Sequence, residues 1–177
     1  NAEAVFREKK GNLIKVGGVG IQAIREIHGK TSLTRAEEEL KFISRNKIQA
    51  LFITMDGYPK KLRSCPDAPL MLYFKGDTGW IEKRALAVVG TRRPSNYGKE
   101  MTEKLIHGLN LRDVAIISGL AYGIDTHAHK AALAKGIDTV GVLAHGLDLI
   151  YPSQNRGLAG KMVGKGGLLT EFPSGTK

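Results

Sequence analysis

What this sequence has little of narrows its class before any motif is read. It holds one cysteine, Cys65, among 177 residues. No intramolecular disulfide can form, which suits a reducing compartment. No apolar run approaches the roughly 20 residues that cross a bilayer, so no membrane span is expected. Asn1–Lys10 has no apolar core of the kind a secretion signal carries, and Asn in place of Met at position 1 leads us to expect a trimmed chain. Acidic residues are scarce: 17 Asp and Glu stand against 27 Lys and Arg, for a net charge of +10. That excess implies a polyanionic partner, with nucleic acid first, then an anionic membrane or an acidic protein. The surplus is uneven. Residues 83–177 hold thirteen basic against seven acidic residues, and the first 44 hold eight against six.

What is present is ordinary for a globular protein, with 42% hydrophobic and 25% charged residues. The length suffices for one sizeable core, or for one domain with a small appendage. No internal repeat or low-complexity segment interrupts it, and two textures divide it. Residues 1–46 read as short-looped helices. There Thr34-Arg35-Ala36-Glu37 has the form of a capping box, and apolar Leu40 and Ile43 share the following face. Residues 47–177 alternate apolar runs with helical stretches. Strands are expected over Ala50–Thr54, Leu70–Phe74, Ala85–Val89, Val114–Ile117, Thr139–Leu143 and Leu168–Glu171. Helices are expected over Tyr97–Leu109, Asp125–Lys135 and Asn155–Val163. Continuously apolar strands alternating with helices imply an α/β fold with a mostly parallel sheet.

Three strand ends carry the chemistry, because doubly wound sheets bind ligands just past the carboxyl ends of their strands. After the first, Gly90 would admit a phosphate close to the backbone, Thr91 offers a hydroxyl, and Arg92 or Arg93 can fork onto a phosphate. After the second, Ser118, Gly119, Leu120, Ala121 and Gly123 form a Gly-rich loop ahead of a helix, a ready anion site. Asp125 is placed there as the helix N-cap. After the third, Tyr151 could stack on a base or pack inside. Ser153 can cap a helix, Asn155 opens it, and Lys161 extends a possible cationic track, whereas Lys165 reads as solvated. Neither a dinucleotide fingerprint nor a Walker A loop is present, and no cofactor is expected.

His127 and His129 do not make a chelate, because residues two apart on a helix point about 200° apart. His129 instead shares a face with Asp125 and is expected either to hydrogen-bond the Gly loop or simply to pack. No nucleophile–base pair stands out, and Cys65 has no local histidine partner. Near the start, Gly18-Val19-Gly20 could form the tight turn of a helix-hairpin-helix element facing a DNA phosphate. Ile24 stands where such hairpins carry a small residue, and a purely structural hairpin that never touches DNA is the preferred reading.

Taken in order, these motifs resemble one family, DNA-processing protein A (DprA, or Smf). The resemblance rests on Tyr58-Pro59-Lys60-Lys61-Leu62, Asp67-Ala68-Pro69, Leu72-Tyr73-Phe74-Lys75-Gly76, Val89-Gly90-Thr91-Arg92, Ser118-Gly119-Leu120-Ala121 with Gly123-Ile124-Asp125 and Ala128-His129, Gly146-Leu147-Asp148 with Tyr151-Pro152 and Asn155, and Glu171-Phe172-Pro173. It implies an extended Rossmann-like domain preceded by a small helical domain of helix-hairpin-helix or SAM-like type. It also implies a cytoplasmic, non-enzymatic homodimer that binds single-stranded DNA and loads RecA during natural transformation and recombination. Carried over, Arg92 is the phosphate clamp, Ser118, Gly119 and Gly123 shape the pocket, and Asp125 and His129 support it. Ala144-His145-Gly146 departs from the family's usual loop. The resemblance further implies that the family's sheet continues past Lys177, so the last strand present is expected to be an exposed edge unless something covers it, and the chain a fragment. A rival class is a nucleotide-processing enzyme of the lysine-decarboxylase-like phosphoribohydrolase type, but its Gly-Gly-x-Gly-Thr-x-x-Glu loop is absent. A plain nucleotide-binding module is a third possibility.

Overall fold

A computed structural model describes residues 2–108 and 113–177. The chain divides into two compact units, Asn1–Arg45 and Asn46–Lys177. Asn1 and Leu109, which the sequence reading placed in a domain and a helix, lie outside the described residues.

The first unit is helical: α1 Ala2–Arg7, α2 Lys10–Leu13, α3 Ile21–Ile27 and α4 Lys30–Asn46. Between α2 and α3, Gly18 adopts a left-handed φ of 86° and Gly20 caps α3 with extended backbone. Ile24, the residue too large for the motif, is buried, as is Leu13, in this unit's core. The capping box does not start α4. The helix begins at Lys30, a turn earlier, so Thr34 is internal. Leu40 is also exposed, contrary to expectation. The buried side of α4 runs instead through Glu39, which accepts an ion pair from Arg35 at 2.8 Å.

The second unit is a six-stranded sheet in the order β1-β2-β6-β5-β4-β3. Its strands are β1 Gln49–Phe52, β2 Met71–Gly76, β3 Arg84–Ala87, β4 Val114–Ser118, β5 Asp138–Leu143 and β6 Gly166–Thr170. Helices α5 Lys60–Arg63, α6 Asn96–Gly108, α7 Ile124–Lys135 and α8 Arg156–Val163 complete it. The helix expected from Asn155 splits, with a 3₁₀ turn at Ser153–Asn155 preceding α8.

Strands β3 to β6 are parallel neighbours in chain order. Successive right-handed crossovers in one direction place α6, α7 and α8 on one face of the sheet. Strand alternation then sorts β4. Val114 and Ile116 pack with Ile106 of α6 and with Ala128, Ala131 and Ala132 of α7. Ala115 faces the other side, where Tyr58, Phe74 and Trp80 form a second core with Val140 and Leu169.

Strand β6 is not an edge. The lead-in strand β2 runs antiparallel along it, from Tyr73 opposite Thr170 to Gly76 opposite Gly167, so β6 is hydrogen-bonded on both sides. The cover that the expectation left open is supplied by β2, a partner distant in sequence, and the edges of the sheet are β1 and β3. No helix among the described residues is long and apolar enough to cross a membrane.

Candidate nucleic-acid interface

The first two strand ends interlock. After β3, Val88 N–H still donates to Ile117 O at 2.9 Å, and the chain then turns at Gly90. A side chain at Gly90 would stand 2.5 Å from Ile124 Cγ1. The glycine is therefore required for packing against the first residue of α7, and the space read as a phosphate approach is filled. Thr91 O accepts the Ile124 amide at 3.1 Å, and Thr91 Oγ1 accepts the Arg93 amide at 3.1 Å. Both backbone contacts hold Arg92 at the tip. Among the described residues, neither Arg92 nor Arg93 has an ion-pair partner, and both are exposed.

The second loop differs from its reading in several ways. Ser118 is buried and its hydroxyl donates to Val88 O at 2.6 Å, stitching β4 to the first loop rather than meeting a ligand. Asp125 is not the N-cap. That position is Gly123, with φ 84° and ψ −129°, and Asp125 lies in the first turn with Oδ2 reaching back to the Ala121 amide at 3.4 Å. With Ala121 and Ile124 committed, fewer loop amides are open to an anion than the sequence suggested.

His129 is fully buried beneath this loop. Nε2–H donates to Gly119 O at 2.6 Å, because a carbonyl can only accept. Nδ1 of the neutral ring accepts from the Thr139 hydroxyl at 2.7 Å. His127, two residues away, turns to Glu103 of α6 at 2.9 Å, so the two imidazoles diverge. Burial lowers the pKa of His129, opposed by the Gly119 hydrogen bond and by Asp125. The sign of its effect on stability follows. The unfolded ring takes a proton near pH 6.5 while the folded ring resists it, so stability falls as pH drops below about 6.5. We expect the wild-type melting temperature to decline through that window, and His129→Gln to flatten the decline. An equal decline in both proteins would refute the assignment.

Asn155 locks the third strand end to the second loop. It is buried, and its amide donates to Leu120 O at 2.8 Å and to Thr126 Oγ1 at 2.9 Å. Both its hydrogens are used, so it positions the loop and does not reach a phosphate. The Glu171-Phe172-Pro173 motif braces the same end. Thr170 Oγ1 lies 3.0 Å from Leu143 O and 2.9 Å from His145 O, and Asp148 Oδ1 accepts the Gly175 amide at 3.0 Å.

These loops enclose a cavity of about 270 Å³. Of the expected residues, Arg92, Gly119, Leu120, Ala121, Asp125 and Tyr151 line it. Gly90, Thr91, Ser118, Gly123, His129 and Asn155 frame it from behind, and Arg93 does not reach it. Lys161 lies elsewhere, on a groove between α7 and α8, and Lys165 is not free, standing 3.6 Å from Asp138. Tyr151 is exposed, which removes the packed-tyrosine reading. Sequence reasoning left Tyr122, Val142, Leu143, Ala144, His145 and Pro152 out of the site. Tyr122, an aromatic inside a glycine loop, was the available signal. The cavity is lined by exposed Arg92 and by one buried carboxylate, Asp125, so an incoming phosphate is favoured beside Arg92 and disfavoured beside Asp125. The volume falls below the roughly 300–1,000 Å³ of typical drug-sized ligand pockets, small for a dinucleotide cofactor.

Comparison with known proteins then identifies the lineage. The model of a family described as DNA recombination-mediator protein A matches residues 49–177. The chain belongs to that family. Among its DprA and Smf relatives, a DNA processing protein DprA of Streptococcus pneumoniae is 40% identical over 129 residues, covering 73% of this chain and 45% of that one. A putative DprA of Mycobacterium tuberculosis is 34% identical over 177 residues, covering 93% and 46%. The chain thus spans about half the length of the curated relatives it matches. The X-ray structure of the pneumococcal DprA superimposes with a TM-score of 0.71 at 32% identity, over 99% of this chain and 64% of that one. A Helicobacter pylori DprA, whose structure concerns its single-stranded DNA binding mode, gives a TM-score of 0.65 at 31% identity, over 76% and 60%. The Rossmann-like sheet is thus that of the DprA family.

Proposed function

We propose that this chain is the DNA-gripping part of a recombination mediator, binding single-stranded DNA at the Arg92 cavity without bond-breaking chemistry. The observation that supports it best is an unpaired guanidinium, held at a loop tip by the Thr91 contacts, on the rim of a small cavity flanked by exposed Tyr122 and Tyr151. A guanidinium forks onto a phosphate, and exposed tyrosines offer stacking faces to any base. The groups a hydrolase would recruit are spent on structure. The Ser118 hydroxyl donates to Val88 O, and Nδ1 of His145 lies 3.0 Å from Gly146 O. A relative from Helicobacter pylori described as binding single-stranded DNA favours the same ligand. The wider role is a cytoplasmic homodimer of the longer protein that protects incoming DNA and hands it to RecA during natural transformation. Residues 47–177 carry the grip, and residues 1–46 form an accessory helical domain.

The test is fluorescence anisotropy of a labelled single-stranded oligonucleotide, competed with duplex, at two salt concentrations. About three neutralised phosphates give a log–log salt slope of roughly −2, at about −0.7 each. Arg92→Ala should weaken all sequences about equally, by about fivefold at roughly 0.1 M salt from the counterions of one phosphate. A flat salt response, or unchanged binding by Arg92→Ala, would overturn the assignment.

A further inference from the structure

The groove between α7 and α8 has a cavity volume of about 460 Å³, larger than that of the Arg92 cavity. Lys130 of α7 and Lys161 of α8 stand along it, with Leu133, Ala134 and Leu158 as apolar wall and Gln154 at one end. No carboxylate is among its lining residues. Both lysines are exposed, and among the described residues neither has an ion-pair partner. On the same unit two other lysines share one carboxylate: Asp138 meets Lys83 at 2.7 Å and Lys165 at 3.6 Å. Two unneutralised ammonium groups lining one groove from two helices repel one another, and an anion bound in that groove relieves the repulsion.

The groove is also connected to the first site. Tyr122, which lines the Arg92 cavity, donates its hydroxyl to Gln154 Oε1 at 2.5 Å, and Gln154 lines the groove. The two hollows therefore share one wall, made by exposed side chains. A single strand has alternating needs, with charged phosphates and flat apolar base faces. A groove with cations along it and an apolar wall answers both.

We propose that the α7–α8 groove is a second subsite for the same polynucleotide, in which Lys130 and Lys161 contact backbone phosphates of a strand that crosses the Tyr122–Gln154 wall from the Arg92 cavity. This rests on the reading of that cavity as a single-stranded DNA seat. The two contacts add affinity without reading sequence, because phosphate contacts position and do not specify.

The experiment compares wild type, K130A/K161A and K130R/K161R on oligothymidylates from about 3 to about 20 nucleotides, at two salt concentrations. Losing two phosphate contacts should lower the magnitude of the salt slope for long strands by about 1.4, which is about 25-fold in affinity at roughly 0.1 M salt. The shortest strand that binds should be held equally by all three proteins, and K130R/K161R should bind long strands like wild type. Unchanged long-strand affinity and slope in K130A/K161A would overturn the proposal, as would a loss uniform across lengths. If Arg92→Ala weakens binding while K130A/K161A does not, only the groove falls. If wild type binds no strand, or Arg92→Ala changes nothing, the cavity reading falls and the groove with it.

Discussion

Replacing Gly123 with alanine is expected to cost the α/β unit about 3 kcal/mol or more and to misplace Arg92. Gly123 sits at φ 84° and ψ −129°, a backbone region that side chains with a Cβ do not tolerate. An added Cβ would lie 2.2 Å from Thr91 O and 2.8 Å from Arg92 Cα. Those atoms are backbone, so no rotamer change relieves the overlap and the two loops must separate. Separation breaks the Ile124 to Thr91 hydrogen bond that sets the tip of the first loop. On the scale of a domain of this size, 3 kcal/mol is about 10 °C in melting temperature. Single-strand binding should also fall at temperatures where the variant is still folded. A variant melting within about 2 °C of wild type with unchanged DNA affinity would show that the loops do not interlock in this way.

The second large effect is expected from Asn155→Asp, which exchanges one heavy atom and keeps nearly the same shape. The asparagine donates both amide hydrogens, to Leu120 O and to Thr126 Oγ1. Thr126 cannot reverse the second bond without loss, since its own hydrogen goes to Ala121 O at 2.7 Å. An aspartate therefore sets a buried negative charge against two acceptor oxygens. Leaving such groups unpaired costs about 1–3 kcal/mol each, and more for a charge. We expect about 3 kcal/mol lost at neutral pH, measured by urea denaturation. The deficit should shrink in acid, where the protonated carboxyl regains one donor. A deficit that does not change with pH would mean that the side chain is not held between these acceptors.

Much of the architecture was legible in the residues. Each of the six expected strands and the three expected helices of the α/β unit has an observed counterpart, shifted by three residues or fewer at any end. Local periodicity and turn chemistry act over a few residues, so a linear reading captures them. The position of the three loops at the strand ends was legible for the same reason, as was the family, through the order and spacing of the motifs.

The errors have one physical origin. The reading assigned polar side chains to ligands by type, while tertiary contacts had already claimed them. Ser118 is bound to Val88, Asn155 to Leu120 and Thr126, and Gly90 gives its space to Ile124. These partners lie 29 to 35 residues away, and nothing local announces them. Nor does anything local announce that β2 is the strand that covers β6. The sequence by itself determined the elements, the basic balance and which loops lie at the strand ends, because these follow from local patterns and composition. Only the tertiary structure decided which of their side chains remain free to meet a ligand, leaving Arg92, Tyr122 and Tyr151 at the cavity and Lys130 and Lys161 in the groove, because a buried donor or acceptor is satisfied first by whatever partner the fold brings within reach.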